Sequence, residues 1–340
     1  MPHDAPAVSA LRRIAFLLEL AREPTYRVRA FRRAADVVSA LTADELERSI
    51  REGSLQQLPG IGAVTALAIN EAQRGETPVY LRRLESTEGC SVADEAAALC
   101  RALRGDCHTH SDWSDGGSSI LEMAETARSL RHEYVVLTDH SPRLTVASGL
   151  SADRLRRQLE EVKRLNVQLA PFRILTGIEV DINEDGSLDQ EDGLLARLEL
   201  VVASVHSKLR MPREQMTERM LKAIGNPHMD VLGHCTGRIV VGRGRPESEF
   251  DAEAVFAACR RFDVAVEVNS RPERLDPPKR LLRRAVEIGC RFAIDTDAHA
   301  PGQLGWQMNG CERAAACGVA ADRVVNALSA SDLIAWARRA

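Results

Sequence analysis

The sequence predicts an α/β domain of about seven β/α units, preceded by a small all-α region. Three observations carry this expectation. From Gly105 onward, short apolar runs alternate with amphipathic stretches; before Gly105 only helical periodicity occurs; and most of the histidines fall at the ends of the apolar runs. A chain of 340 residues is long enough for one large core and a smaller domain. Charged residues make up 28% of the sequence with a formal net charge of -4, so any contact with nucleic acid must come from a local patch. The eight cysteines form no C-x-x-C pair, and the N-terminus lacks a signal-peptide pattern. Reduced thiols and a cytoplasmic location are expected. No apolar run approaches the roughly 18 residues of a membrane span, so no membrane partner is expected.

Residues 9–24 carry Leu11, Ile14, Leu17, Leu18 and Ala21 at helical spacing and stop at Pro24. In the next helix, TYRVRAFRRAADVVSAL, Val28, Phe31, Ala35, Val38 and Leu41 form the apolar stripe. Arg27, Arg29, Arg32 and Arg33 crowd its opening turns, either as a solvated face or as a basic patch. Residues 44–51 form a further helix, and LPGIG then leads into an Ala-rich one. Gly60 and Gly62 allow a tight turn whose free N–H groups lie at a helix start, where an anion is favoured.

The helix, the LPGIG turn and the second apolar helix together resemble a helix-hairpin-helix element, which grips a nucleic-acid backbone without reading sequence. Residues 9–85, with TYRVRAFRRAA leading into LPGIG, resemble the small N-terminal DNA-binding domain of family X DNA polymerases. In lyase-active members a lysine on the helix after the hairpin forms a Schiff base. This chain has no lysine before Lys163, and Val64 and Ala68 stand where basic residues would be expected. A Schiff base needs a primary amine, so the resemblance implies DNA binding through Gly60, Gly62 and the four arginines. The expected organisation is a helical domain over 1–85, a connecting helix and linker over 86–104, and a catalytic domain over 105–340. No polymerase domain fits between them.

The strands expected after 105 are 134–140, 173–182, 199–206, 231–234, 264–269 and 291–299, separated by helices at 118–131, 151–168, 213–225, 251–262 and 277–288. The first unit opens with GDCHTHSDWSDG. In an extended segment, i and i+2 point the same way, so His108 and His110 face one point while Cys107 and Thr109 turn away. The strands end in His140, Glu179, His206, His234, Asp297 and His299. Strand C-termini converge on one face of parallel α/β folds. Six of the nine histidines fall there, which random placement would not produce. His3, in a tail, and His132 and His228 read as structural or solvent-facing.

The series HTHSDWSDG, LTDHS, GIEVDI, ASVHS, LGHCTGR and TDAH resembles the polymerase and histidinol phosphatase (PHP) family, most closely the PHP domain of bacterial family X polymerases. The resemblance covers residues 105 to about 335. It implies a distorted (β/α)7 barrel enclosing three divalent metal ions. One ion would be held by His108, His110, Glu179 and Asp297, a second by Glu179, His206 and His234, and a third by Asp115, His140 and His299. Mixed imidazole and carboxylate ligands suit Zn, Mn or Fe, with Glu179 bridging. Such a cluster supplies a metal-bound hydroxide as nucleophile and neutralises the leaving oxygen. Cys107 and Cys235 sit beside ligands and are expected to pack.

Arg143, Lys208, Arg238 and Arg271 follow ligands or strand ends and are candidates for holding phosphate, Arg238 foremost. The leading expectation is a DNA phosphodiesterase, a 3′-5′ exonuclease or 3′-end processing activity in repair, with a DNA-repair polymerase as partner. Two alternatives stand beside it: a histidinol-phosphatase-type phosphomonoesterase acting on a small metabolite, and a non-catalytic DNA-binding module with structural metals.

Overall fold

A computed structural model describes residues 5–86 and 93–338. His3 and residues 87–92 of the expected linker lie outside the described residues. The chain divides into two compact units, Met1–Ser91 and Val92–Ala340.

The first unit is all helical: α1 (Pro6–Leu20), α2 (Thr25–Ser39), α3 (Ala43–Arg51), α4 (Ala63–Gln73) and α5 (Val79–Ser86). Proline at its first position starts α1, and the apolar stripes of α1 and α2 meet through Leu11, Ile14, Leu18, Phe31 and Val38, all buried. A capping box begins α3, with the Thr42 N–H donating to Glu45 at 2.8 Å and the Glu45 N–H to Thr42 Oγ1 at 3.3 Å. Gly60 takes φ +104° in the turn before α4, a conformation that disfavours any side chain.

The second unit opens with α6 (Asp94–Ala102), which carries Leu99 and Leu103 into the core beside α13 (Gln307–Ala315). Residues 94–104 are therefore part of this unit rather than a linker, because the apolar side of α6 needs burial. Seven strands follow: β1 (Gly105–Thr109), β2 (Tyr134–Leu137), β3 (Arg173–Asp181), β4 (Leu200–Ser204), β5 (Val231–Leu232), β6 (Ala265–Asn269) and β7 (Phe292–Asp295). They pair in parallel in sequence order. A bridge between Thr109 and Ala298, with the His110 N–H donating to Ala298 O at 2.8 Å, joins the first strand's end to the segment after the last. The sheet is thus a nearly closed barrel. Helices α7 (Ile120–Ser129), α8 (Ala152–Leu169), α9 (Asp192–Leu195), α10 (Arg213–Ile224), α11 (Ala252–Phe262), α12 (Lys279–Ile288) and α14 (Ala330–Ala337) complete the unit.

Strand alternation sorts the side chains. Val135, Ile174, Ile178, Val201, Val266 and Ile294 face the surrounding helices, while Val136, Leu175, Val202, Ala265 and Ala293 pack into the lumen. Val325 and Leu333 join that lumen cluster from the C-terminal segment. On β2, β3, β4, β6 and β7 the same inward register continues upward to His140, Glu179, His206, Glu267 and Asp297. Apolar residues therefore floor the lumen and polar ones fill its mouth.

Candidate metal centre

Most of the strands are shorter than their sequence signals, and the difference is chemical. The strands proper end at Leu137, Ser204, Leu232 and Asp295, so His140, His206, His234, Asp297 and His299 stand just beyond them, with His140 still held by an isolated bridge to Glu179. His108 and Glu179 lie within strands. β1 carries an irregularity between Asp106 and Thr109 that shifts its register against β2. This corrects the simple alternation expected for GDCHTH: Cys107 is not turned away from the centre but packs in the lumen floor with Val136 and Val202, directly beneath the histidines. It packs, as expected, but on the other face.

Glu179 is fully buried and surrounded by imidazoles. Its Oε2 lies 3.3 Å from His108 Nε2, 3.6 Å from His110 Nε2 and 2.9 Å from His140 Nδ1. Its Oε1 lies 3.2 Å from His206 Nε2 and 3.0 Å from His234 Nε2. His110 Nε2 is also 3.4 Å from Asp297 Oδ1. A second focus forms at Asp115, whose Oδ1 is 3.5 Å from His140 Nε2 and 3.4 Å from His299 Nε2. All nine expected ligand residues are brought together, whereas His132 and His228 stand apart from them.

Both Glu179 oxygens and the Nε2 atoms of His108, His110, His206 and His234 are buried without a hydrogen-bond partner. Buried polar atoms are rarely left so. Lone pairs converging from imidazoles and a carboxylate are what a divalent cation satisfies, so the residues fit such an ion. In two of these imidazoles the outer nitrogen is already oriented. His108 Nδ1 lies 2.5 Å from Glu267 Oε1 and His206 Nδ1 lies 2.7 Å from Asp181 Oδ1, leaving Nε2 of each to point inward.

The local field follows from this packing. Burial would raise the Glu179 carboxyl, but His108, His206 and His140 outweigh it and hold the group well below the usual range. Burial likewise opposes the charge on His206, yet Glu179 and Asp181 push it up to about 9. His110 is driven well below its ordinary value by burial and by neighbouring His299 and His140. Asp297 is held low against burial by Arg274 and Arg271.

A cavity of about 390 Å³ opens over Asp115, His140, His206, Asp297 and His299. Of the four basic residues expected to hold phosphate, Arg271 lines this cavity, with Nη1 donating to Asp297 O at 2.8 Å. Arg238 does not line it. Its guanidinium donates to Arg274 O at 3.0 Å and to Leu275 O, and it pairs with Glu247, so it clamps a loop. Arg143 is exposed and donates to Asn183 Oδ1 at 2.9 Å, and Lys208 is exposed away from the lining. Arg274 was missed by the sequence reading; it lines the cavity and donates from Nε to Asp297 Oδ2 at 3.0 Å. Glu267 and Asp181 were also missed. Their signal is a carboxylate at an inward position of a strand otherwise apolar on both faces.

In the helical unit, the hairpin backbone meets Arg33: a Cβ added at Gly60 would come within 2.7 Å of its Nε. Gly62 precedes α4 and its N–H donates to Thr65 Oγ1 at 2.9 Å. Arg29 is exposed on α2. Arg27 instead binds Glu23 at 2.5 Å and Tyr80 at 2.6 Å, and Arg32 binds Glu19 at 2.7 Å.

Sequence comparison agrees with this division. The helix-hairpin-helix domain matches residues 3–77, and the PHP domain matches residues 106–271. The barrel is a PHP domain. As an enzyme it is a phosphoesterase of that family. The chain is 40% identical over 237 residues to the DNA polymerase/3′-5′ exonuclease PolX of Bacillus subtilis, a match spanning 70% of this chain but 41% of that protein. It is 29% identical over 232 residues to a probable phosphatase of Thermoanaerobacter sp., covering 65% of this chain and 89% of the relative. A solved histidinol phosphate phosphatase from Lactococcus lactis, complexed with zinc, L-histidinol and phosphate, is 16% identical with a TM-score of 0.49, over 64% of this chain and 95% of that one. Among the described residues, no helix is long and apolar enough to cross a membrane.

Proposed function

We propose that this chain is a metal-dependent phosphodiesterase that acts on DNA, trimming or processing 3′ ends during repair, with the helical unit holding the strand by its backbone. The observation that carries the reading is Glu179, a buried carboxylate whose two oxygens face five imidazoles at 2.9 to 3.6 Å, in a chain that also bears a helix-hairpin-helix domain.

Three divalent ions of Zn, Mn or Fe are the proposed complement. His108, His110, Glu179 and Asp297 would hold the first; His206 and His234, sharing Glu179, the second; Asp115, His140 and His299 the third. Bound there, they would supply Lewis-acid activation of water and neutralise charge on the phosphoryl group. The protein's own residues do the rest. Glu267 and Asp181 fix the imidazole rings, and Arg271 and Arg274 bring positive charge to the cavity that receives the phosphate. In the helical unit, Gly60, Gly62, Arg29 and Arg33 are the proposed backbone contacts. Removal of a 3′ end leaves resynthesis to another enzyme, so a DNA-repair polymerase is the proposed partner.

A second reading, a small-metabolite phosphomonoesterase, draws on the likeness to probable phosphatases that share the barrel. The test offers the purified protein, with Mn²⁺ or Zn²⁺, 3′-labelled single- and double-stranded DNA beside p-nitrophenyl phosphate. Cleavage of DNA that is lost in His108→Ala is expected. Monoester turnover without any DNA cleavage would transfer the assignment to the second reading.

A further inference from the structure

The cavity over the histidines has an uneven lining. Arg271, Glu273 and Arg274, from the segment after β6, bring charge, with Arg271 Nε 3.7 Å from Glu273 Oε2, whereas Leu144, Val146 and Ala147, from the loop after β2, bring only hydrocarbon, joined by Ile239 from beyond β5. In the strand order β2 and β6 are not neighbours, so the two groups approach the mouth from separate sectors of the barrel. A single exposed valine is ordinarily unremarked on a protein surface. Val146 differs in three respects. It is 92% exposed, it lines a cavity, and its loop is pinned. Asp189 Oδ2 accepts from Ser141 Oγ at 2.9 Å and from the Arg143 N–H at 2.6 Å. The Ala147 N–H donates to Leu144 O at 3.0 Å, and Arg154 Nη1 donates to Gly149 O at 3.2 Å. Gly149 lies so close to Ser141 that a Cβ there would sit 1.9 Å from its carbonyl oxygen. The loop therefore presents its apolar side chains in a fixed place.

A phosphate held by the arginines and the metal-binding floor has no use for such a wall, and 390 Å³ exceeds what a phosphate alone fills. Charge on one sector and hydrocarbon on another match a ligand that carries both. We infer that Leu144 and Val146 form a subsite for the base and sugar of the nucleotide bearing the scissile phosphate, making this pocket selective for nucleotidyl diesters over simple alkyl ones. The flat face of a base offers apolar area that is independent of its identity, so the contact would not select sequence. This inference rests on the phosphodiesterase reading.

The experiment compares the metal-loaded full chain with Val146→Ser and Leu144→Ser/Val146→Ser, and with Val167→Ser as control, since Val167 is 83% exposed on α8 and lies outside the cavity lining. The substrates are the p-nitrophenyl ester of thymidine 5′-monophosphate and methyl p-nitrophenyl phosphate. The wild type is expected to favour the thymidine ester by about tenfold or more in kcat/KM. The double variant should lose most of that preference while the methyl ester and the control are unchanged, as deletion of apolar contact area requires. Equal use of the two esters by the wild type, or equal losses on both in the variants, would overturn the subsite. Calorimetry with thymidine 5′-monophosphate and inorganic phosphate separates the two readings. If neither ester is cleaved, the diesterase reading falls alone. The subsite then survives if the nucleotide binds about tenfold tighter than phosphate in the wild type only, and it falls if the two affinities are equal.

Discussion

In the helical unit, α1, α2 and α4 bury an almost wholly apolar interior, and its polar side chains pair off. Glu71 accepts from the Val79 N–H at 3.0 Å, Thr65 bonds to Gly62, and Arg32 bonds to Glu19. At the mouth of the barrel, by contrast, carboxylates and imidazoles are buried together and their inner atoms lack partners. The first arrangement is complete as a fold. The second costs stability unless an ion occupies it, because buried lone pairs and charges are expensive when left alone. Under the proposed function, the contrast separates the part that would hold DNA on its surface from the part built around a reaction.

The contrast can be broken at its strongest point. Glu179→Gln keeps the size of the side chain and removes the charge on which five imidazoles converge. Turnover should fall by about 1,000-fold or more. Metal content measured by elemental analysis should fall with it, while DNA affinity of the helical unit is retained. A variant with full turnover would dissolve the distinction between the two regions.

Chelation should sharpen it. After metal removal, amide exchange is expected to speed up along β1 and β3 and in the loops bearing His140, His206 and His234, with α1, α2 and α4 unchanged. Ion binding stabilises only what it binds, by an amount set by the free concentration over Kd. Uniform acceleration across both units would show the helical unit depending on the ions as well.

The smallest effect is expected at the hairpin. Gly60→Ala places a Cβ at φ +104° and against Arg33, a strain of about 1–3 kcal/mol. DNA affinity, followed by fluorescence anisotropy, should drop several-fold, and turnover on a small diester should stay as in the wild type. Loss of small-diester turnover would contradict the division of labour.

Much of this was legible in the residues. Short apolar runs ending in His, Glu or Asp marked the seven strands and eight of the nine clustered residues, since a strand buried on both faces leaves few reasons for an imidazole at its tip; Asp115, in a turn, and the grouping into one ligand set came from the resemblance to the PHP family. Three things were hidden. The irregularity in β1 brings Cys107 and His108 to the same side, which alternation forbids, so the cysteine was read onto the wrong face. The helix at Asp94–Ala102 looked like a connector because the partner for its apolar side, α13, lies about 200 residues away in sequence. Arg238 looked like a phosphate ligand because spacing from His234 says nothing of the carbonyls of Arg274 and Leu275, which claim its donors. Local pattern reports which way a side chain starts, whereas its final partner is decided by loops from elsewhere.

The clasp between Thr109 and Ala298 has a further consequence. Next to it Thr296 Oγ1 donates to Asp106 Oδ2 at 2.6 Å, across a separation of 190 residues. His108 and His110 stand at one side of this seam and Asp297 and His299 at the other. A growing chain emerging from the ribosome carries Glu179 and five of the six clustered histidines before it has the seam. The cluster is completed only when the last strand docks, so it cannot assemble until synthesis of the chain is nearly finished.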